Sequence, residues 1–135
     1  MKYMLDTNIC IHLMQGHPAH VGERFAKLEE GDVVMSAITY GELCAGIEKR
    51  SFERDALRRS LQQLTKNIPV LPFDLPAAES FGRIVAMSPE RRRNSLDRLI
   101  ASHALTHSLV LVTNNESDFR SYPGLTLENW VANPR

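Results

Sequence analysis

Two short runs in this chain, Val33-Val34-Met35 and Leu109-Val110-Leu111-Val112, are apolar at every position rather than at alternate ones. Successive strand residues point to opposite faces, so a strand that is apolar throughout needs cover on both sides, which a parallel sheet between helices provides. Runs of this kind predict strands at 2–5, 32–36, 69–71 and 109–113, with a weaker one at 125–127. Between them the apolar spacing changes to steps of three and four. Leu57, Leu61, Leu64 and Ile68 form one such stripe, and Ala77, Ala78, Phe81, Ile84 and Val85 form another behind an expected Asp74 cap with Pro76 in the first turn. Further helices are expected after Asp6, Pro18, Ser36 and Ser95. Strands alternating with helices predict an α/β fold, a mostly parallel sheet of about five strands joined by right-handed crossovers.

The 135 residues are enough for one domain, spanning 1–135, to bury a core without disulfides or structural metals. A hydrophobic share of 43% with 24% charged residues is ordinary globular usage, which argues against disordered, collagen-like and membrane classes. The apolar run before Asp6 is too short for a secretion signal or a membrane span, so a cytoplasmic location with no membrane partner is expected. Cys10 and Cys44 fall in apolar helical patterns without a CxxC spacing and read as reduced core thiols. Trp130 is expected to close the core. Sixteen basic and sixteen acidic side chains cancel, so nucleic acid would have to be held by a local patch. Arg91, Arg92 and Arg93, with Arg98 beside Asp97, are the candidate grip on phosphate; the alternative is a solvated loop and helix start.

Three acids stand where strands hand over to helices or where helices begin. Asp6 ends the first apolar run, Glu42 lies within Ser36-Ala-Ile-Thr-Tyr-Gly-Glu-Leu43, and Asp97 opens the helix expected after Ser95. Open parallel sheets bind ligands at the carboxyl edge of their strands, where all three are expected to converge. Each has a structural alternative: Asp6 as a helix cap, Glu42 in a Thr39-x-x-Glu42 capping box, Asp97 as complement to a helix dipole. Converging carboxylates repel one another and raise one another's pKa, and a bound cation relieves that repulsion. Oxygen donors without thiolate or imidazole favour Mg²⁺ or Mn²⁺ over zinc. A fourth polar group is expected after the 109–113 strand, with Asn115 and Asp118 as the alternatives and Thr113 adding a hydroxyl.

Other chemistries lack their signatures. There is no Gly-rich phosphate loop, no G-x-S-x-G elbow and no paired CxxC. His103 and His107 stand one helical turn apart but without an HExxH arrangement, and read as surface or packing histidines.

The segments Tyr3-Met-Leu-Asp-Thr-Asn8, Met35-Ser-Ala-Ile-Thr-Tyr-Gly-Glu-Leu43, Leu96-Asp-Arg-Leu-Ile-Ala-Ser-His-Ala104 and Leu111-Val-Thr-Asn-Asn115 with Asp118-Phe119 resemble, in this order, the PIN-domain ribonucleases, and specifically VapC toxins of bacterial toxin–antitoxin pairs. The closing Pro123-Gly to Trp130 is similar too. The resemblance implies that Asp6 and Asp97 bind Mg²⁺, with Glu42 completing the cluster directly or through water. It places Asn115 where many relatives carry Asp or Asn, with Asp118 able to supply the further charge. One departure is Ser88-Pro-Glu-Arg-Arg-Arg-Asn-Ser95, where relatives commonly show a Gly- and Pro-containing loop.

The implied activity is metal-dependent hydrolysis of an RNA phosphodiester bond, in a structured RNA such as a tRNA, leaving 5′-phosphate and 3′-hydroxyl ends. The implied partners are a cognate antitoxin, operator DNA reached only through that antitoxin, and a second copy of the chain. The rival reading is a noncatalytic corepressor with the same fold, its acids serving as caps.

Overall fold

The computed structural model describes residues 1–87 and 95–132. Five short strands, β1 (Tyr3–Leu5), β2 (Val33–Ser36), β3 (Val70–Leu71), β4 (Val110–Val112) and β5 (Leu127–Glu128), form one sheet in the order β3-β2-β1-β4-β5. Every pairing is parallel; Tyr3 stands opposite both Val33 and Val110, and Val112 stands opposite Glu128. The expected α/β architecture is therefore observed, with the last strand displaced by a residue or two toward the carboxyl end.

The all-apolar runs are explained by two cores, one on each face of the sheet. Leu5, Val33, Met35 and Val112 face one, together with Ile9 and Cys10 of helix α1 (Thr7–Gln15), Val21 of α2 (Ala19–Ala26), Leu43 of α3 (Ala37–Glu48) and Leu61 of α4 (Arg54–Asn67). Met4, Val34 and Leu111 face the other, against Ile84 of α5 (Leu75–Met87), Ile100 and Ala104 of α6 (Ser95–Thr106) and Phe119 of α7 (Glu116–Phe119). Neighbouring residues of one strand thus stabilise different layers. A fully buried aliphatic side chain contributes about 1.5–3 kcal/mol, so both halves of the alternation are needed. Trp130 closes the first core, its ring edge-on to Tyr3 at 5.6 Å and its indole N–H donating to Glu128 at 2.9 Å.

Local signals set the helix starts. Asp74 caps α5 by accepting from the Ala77 N–H at 3.2 Å, and Ser36 caps α3 by accepting from Ile38 at 3.0 Å. Gly16 ends α1 at φ 69°, a left-handed turn that glycine adopts without a Cβ penalty. The Thr39–Glu42 capping box is not formed, because the cap falls three residues earlier and buries Thr39 inside the first turn. Glu42 is thereby released from a capping role. No helix among the described residues is long and apolar enough to cross a membrane.

His103 is a packing residue with a specific job. Fully buried, its Nδ1 lies 2.8 Å from the Ser36 hydroxyl, joining α6 to the junction of β2 and α3. Burial lowers its pKa, the neighbouring His107 lowers it further, and Asp74 and the Pro72 carbonyl oppose them. The folded state therefore refuses a proton that the unfolded chain accepts below about pH 6.5, and stability is lost as pH falls from there toward the depressed folded value. Urea titrations between pH 7.5 and 5 should show this decline, with a shallower slope in His103→Gln; equal slopes would assign the acid sensitivity to other groups.

Candidate active site

In a parallel α/β unit each helix runs against its neighbouring strands, so the first turns of α1, α3 and α6 lie at the carboxyl edge. The sheet order adds a second constraint. From β1 the chain crosses to β2 on one side, whereas β4 lies on the other side of β1 and continues to β5. The carboxyl ends of β1 and β4 therefore flank a topological switch point, where diverging connections leave a crevice.

Asp6 sits at that point and is 4% exposed. Its backbone N–H donates to the Val112 carbonyl at 3.0 Å, which locks it to the end of β4. Oδ1 accepts from the Ile9 N–H at 3.2 Å, capping α1, and Oδ2 accepts from the Thr113 hydroxyl at 2.5 Å. Asp6 is thus both the expected cap and a carboxylate held in the crevice. Burial raises its pKa, and the charge of Glu42 raises it further; the bonds from Thr113, Ile9 and Asn8 pull the other way. The same burial, aided by the charge of Asp6, pushes the Cys10 thiol far above its ordinary range, so it supplies no nucleophile.

Glu42, half-buried in the middle of α3, accepts from the Thr7 hydroxyl at 2.5 Å through Oε1. This bond and the electrostatic coupling to Asp6 bring two of the three expected acids together. Asp97 lies half-buried in the first turn of α6, the position expected of it. Among the described residues no three acid, His or Cys side chains stand close enough to enclose an ion by themselves. Two electrostatically coupled carboxylates, one of them buried, nevertheless form a donor set suited to a hard divalent cation that keeps part of its water shell.

The segment after β4 is tied to the same point. The Thr113 hydroxyl, fully buried, accepts from the Asn115 N–H at 2.9 Å while donating to Asp6. Asn115 is exposed at the start of α7, and Asp118 is half-buried on that helix. Asn129 braces the loop from β5, donating to Asn114 at 3.2 Å and to Glu116 at 3.0 Å. Sequence reasoning missed Thr7 and Asn129, because their partners lie 35 and 13 to 15 residues away and no motif connects them. Arg98, one of the expected grips, lies buried beside Asp97 on α6, 6% exposed. The other expected grips, Arg91, Arg92 and Arg93, lie outside the described residues.

The PIN domain family matches residues 3–125. This chain belongs to the PIN-domain family. Relatives and structures it matches over nearly their whole length include VapC ribonucleases and VapBC complexes. The tRNA(fMet)-specific endonuclease VapC of Shigella flexneri is 38% identical over 132 residues, covering 96% of this chain and 98% of the relative. Among solved structures, DNA-bound VapBC from Salmonella typhimurium superimposes with a TM-score of 0.88 at 36% identity, covering 96% of this chain and 98% of that one. VapBC2 from Rickettsia felis, bound to a DNA fragment from its promoter, gives 0.88 at 30% identity, covering 96% and 99%.

A buried carboxylate with a raised pKa is a site built at the expense of stability. The folded state holds the Asp6 proton more tightly than the unfolded chain, so stability falls as pH rises through the raised pKa and the full penalty is present above it. Asp6→Asn should therefore melt above the wild type at pH 7.5 in EDTA, with the gain shrinking as pH approaches 4. A variant that melts lower at every pH would show that the cap and the Thr113 bond outweigh the buried charge.

Proposed function

We propose that this chain is a divalent-metal-dependent endoribonuclease, the toxin of a toxin–antitoxin pair, hydrolysing phosphodiester bonds in a structured RNA. The observation that carries the reading is the buried Asp6 carboxylate facing Glu42 at the switch point, in a chain similar end to end to VapC ribonucleases. The name of the Shigella flexneri relative favours a tRNA as substrate.

In this reading Asp6 and Asp97 hold Mg²⁺ or Mn²⁺, with Glu42 joining directly or through water. Such a cation, when bound, neutralises the clustered carboxylates and withdraws electron density from the scissile phosphate. Asp6, pinned by the Ile9 N–H and the Thr113 hydroxyl, keeps its oxygens fixed and spends no reorganisation during the reaction. Glu42 has Oε1 engaged by Thr7, leaving Oε2 to orient a water and receive its proton. The water oxygen attacks phosphorus in line, the P–O3′ bond breaks, and solvent protonates the departing 3′ oxygen. Asn115 and Asp118, on the loop tied to Thr113, extend the polar wall. The products carry 5′-phosphate and 3′-hydroxyl ends. Arg91, Arg92 and Arg93 are assigned to the RNA backbone, on the ground of charge alone.

Purified protein freed of antitoxin should cut cellular RNA into discrete products with Mg²⁺, and not with EDTA. Folded Asp97→Asn should lose at least 100-fold of that activity, a loss typical of a removed metal ligand or electrostatic group. Cleavage that persists in EDTA, or 2′,3′-cyclic phosphate ends, would contradict the mechanism.

The antitoxin has a place to dock. A groove of about 260 Å³ between α1, α3 and α4 is lined by Ile11, Met14, Gly46, Ile47 and Leu57, with Glu42 among the residues of its wall. It suits an apolar helix whose basic residue reaches the acids and blocks them, giving a toxin–antitoxin hetero-oligomer that meets operator DNA through the antitoxin. A homodimer of toxin chains belongs to the same proposal. A Cβ on Gly46 meets nothing within 4 Å, so a side chain can start there, and Gly46→Trp, checked for folding by thermal melting, tests the groove. It should weaken antitoxin binding at least tenfold in calorimetry; unchanged affinity would move the docking surface elsewhere.

A further inference from the structure

We infer that Thr7 is a positioning residue for Glu42, acting by holding one carboxylate oxygen so that the other is aimed into the crevice; this rests on the ribonuclease reading above. Thr7 is the first residue of α1, directly after the Asp6 cap, and its hydroxyl donates to Glu42 Oε1 at 2.5 Å across a separation of 35 residues. Threonine is an indifferent helix former, and this one neither caps α1 nor bonds back into it; its hydroxyl is directed to another helix.

Glu42 has few other restraints. It stands in the middle of α3, away from both helix ends, and no Lys or Arg among the described residues pairs with it. A glutamate side chain has three rotatable bonds, and freezing them costs free energy that a directed hydrogen bond offsets. The Thr7 hydroxyl supplies that bond, and a donor to a charged oxygen is stronger than one between neutral groups. Oε1 is then committed, and Oε2 is the oxygen with an orientation set by its neighbour. Thr113 does the corresponding work for Asp6. The two acids are therefore each held by a threonine, and the two threonines flank the crevice from α1 and from the end of β4.

The chain order makes the coupling compact. One dipeptide, Asp6-Thr7, supplies both a ligand and the group that aims its partner, so the orientation of Glu42 is referenced to the same turn that fixes Asp6. A partner behind a metal ligand or a catalytic carboxylate is commonly worth 10–100-fold in metal affinity or activity, and a misplacement of about 1 Å can cost about 100-fold in rate.

The test compares Thr7→Val, which keeps the branched shape and removes the hydroxyl, with Thr7→Ser, which keeps the hydroxyl, alone and in the Glu42→Gln background. Folding is checked by thermal melting, Mn²⁺ binding to protein alone by calorimetry, and RNA cleavage by kcat and KM. Thr7→Val should lower kcat by roughly 10–100-fold with KM within about twofold, and weaken Mn²⁺ binding. Thr7→Ser should recover most of both, and Thr7→Val should have little further effect once Glu42 is Gln. A Thr7→Val chain that matches the wild type, or whose loss is undiminished in Glu42→Gln, overturns the role of Thr7 alone. A wild type that neither binds Mn²⁺ nor cleaves RNA overturns the ribonuclease reading and the role of Thr7 with it.

Discussion

The arrangement depends on one costly placement, a carboxylate buried at the point where the sheet connections diverge. Asp6 is 4% exposed, and its ionised form is disfavoured by burial and by Glu42. What makes the placement tolerable is hydrogen bonding to both oxygens, from the Ile9 amide and the Thr113 hydroxyl. These two donors come from elements that must be where they are for the fold to exist: the first turn of α1 and the end of β4. The site is therefore a consequence of sheet register, and a shift of β4 by one residue would turn Thr113 to the opposite face.

The surrounding structure supports that point from both faces. The first core holds α1 and α3 against the sheet, and so sets the distance between Asp6 and Glu42. The second core holds α6, which carries Asp97, and α7, which follows the Thr113 loop. The two layers meet at the bond between His103 and Ser36, where a residue of α6 touches the cap of the helix that bears Glu42. Packing and chemistry are joined at that contact, because a movement of α6 relative to α3 changes the crevice that their first turns border.

Some apparent signals dissolve once the layers are in place. Arg98 stands beside Asp97 in sequence, and the helical period turns it inward while Asp97 remains half-buried. Successive helix residues point about 100° apart, so adjacency in sequence does not imply a shared surface. The Thr39–Glu42 pair matches a capping pattern, but Ser36 caps the helix instead and leaves Glu42 available for the crevice. In that case a local motif was overridden by where the strand ended.

The α/β class, the parallel sheet, most strand positions and the alternation of strand with helix were readable from apolar periodicity, because burial on one face or two leaves a direct mark on the spacing of side chains. The positions of Asp6 and Asp97 were readable as well, since strand ends and helix starts are local features, whereas Glu42, expected near a helix start, stands in the middle of α3. The sequence did not reveal that β1 lies between β2 and β4, that Thr7 reaches Glu42, that Asn129 braces the loop after β4, or that His103 touches Ser36. The hydrogen bonds among them span from 13 to 67 residues, and nothing local in the chain selects one distant partner over another. Only the closing of two cores around one sheet brings such partners within hydrogen-bond distance, so the tertiary structure alone decided how the acids are held.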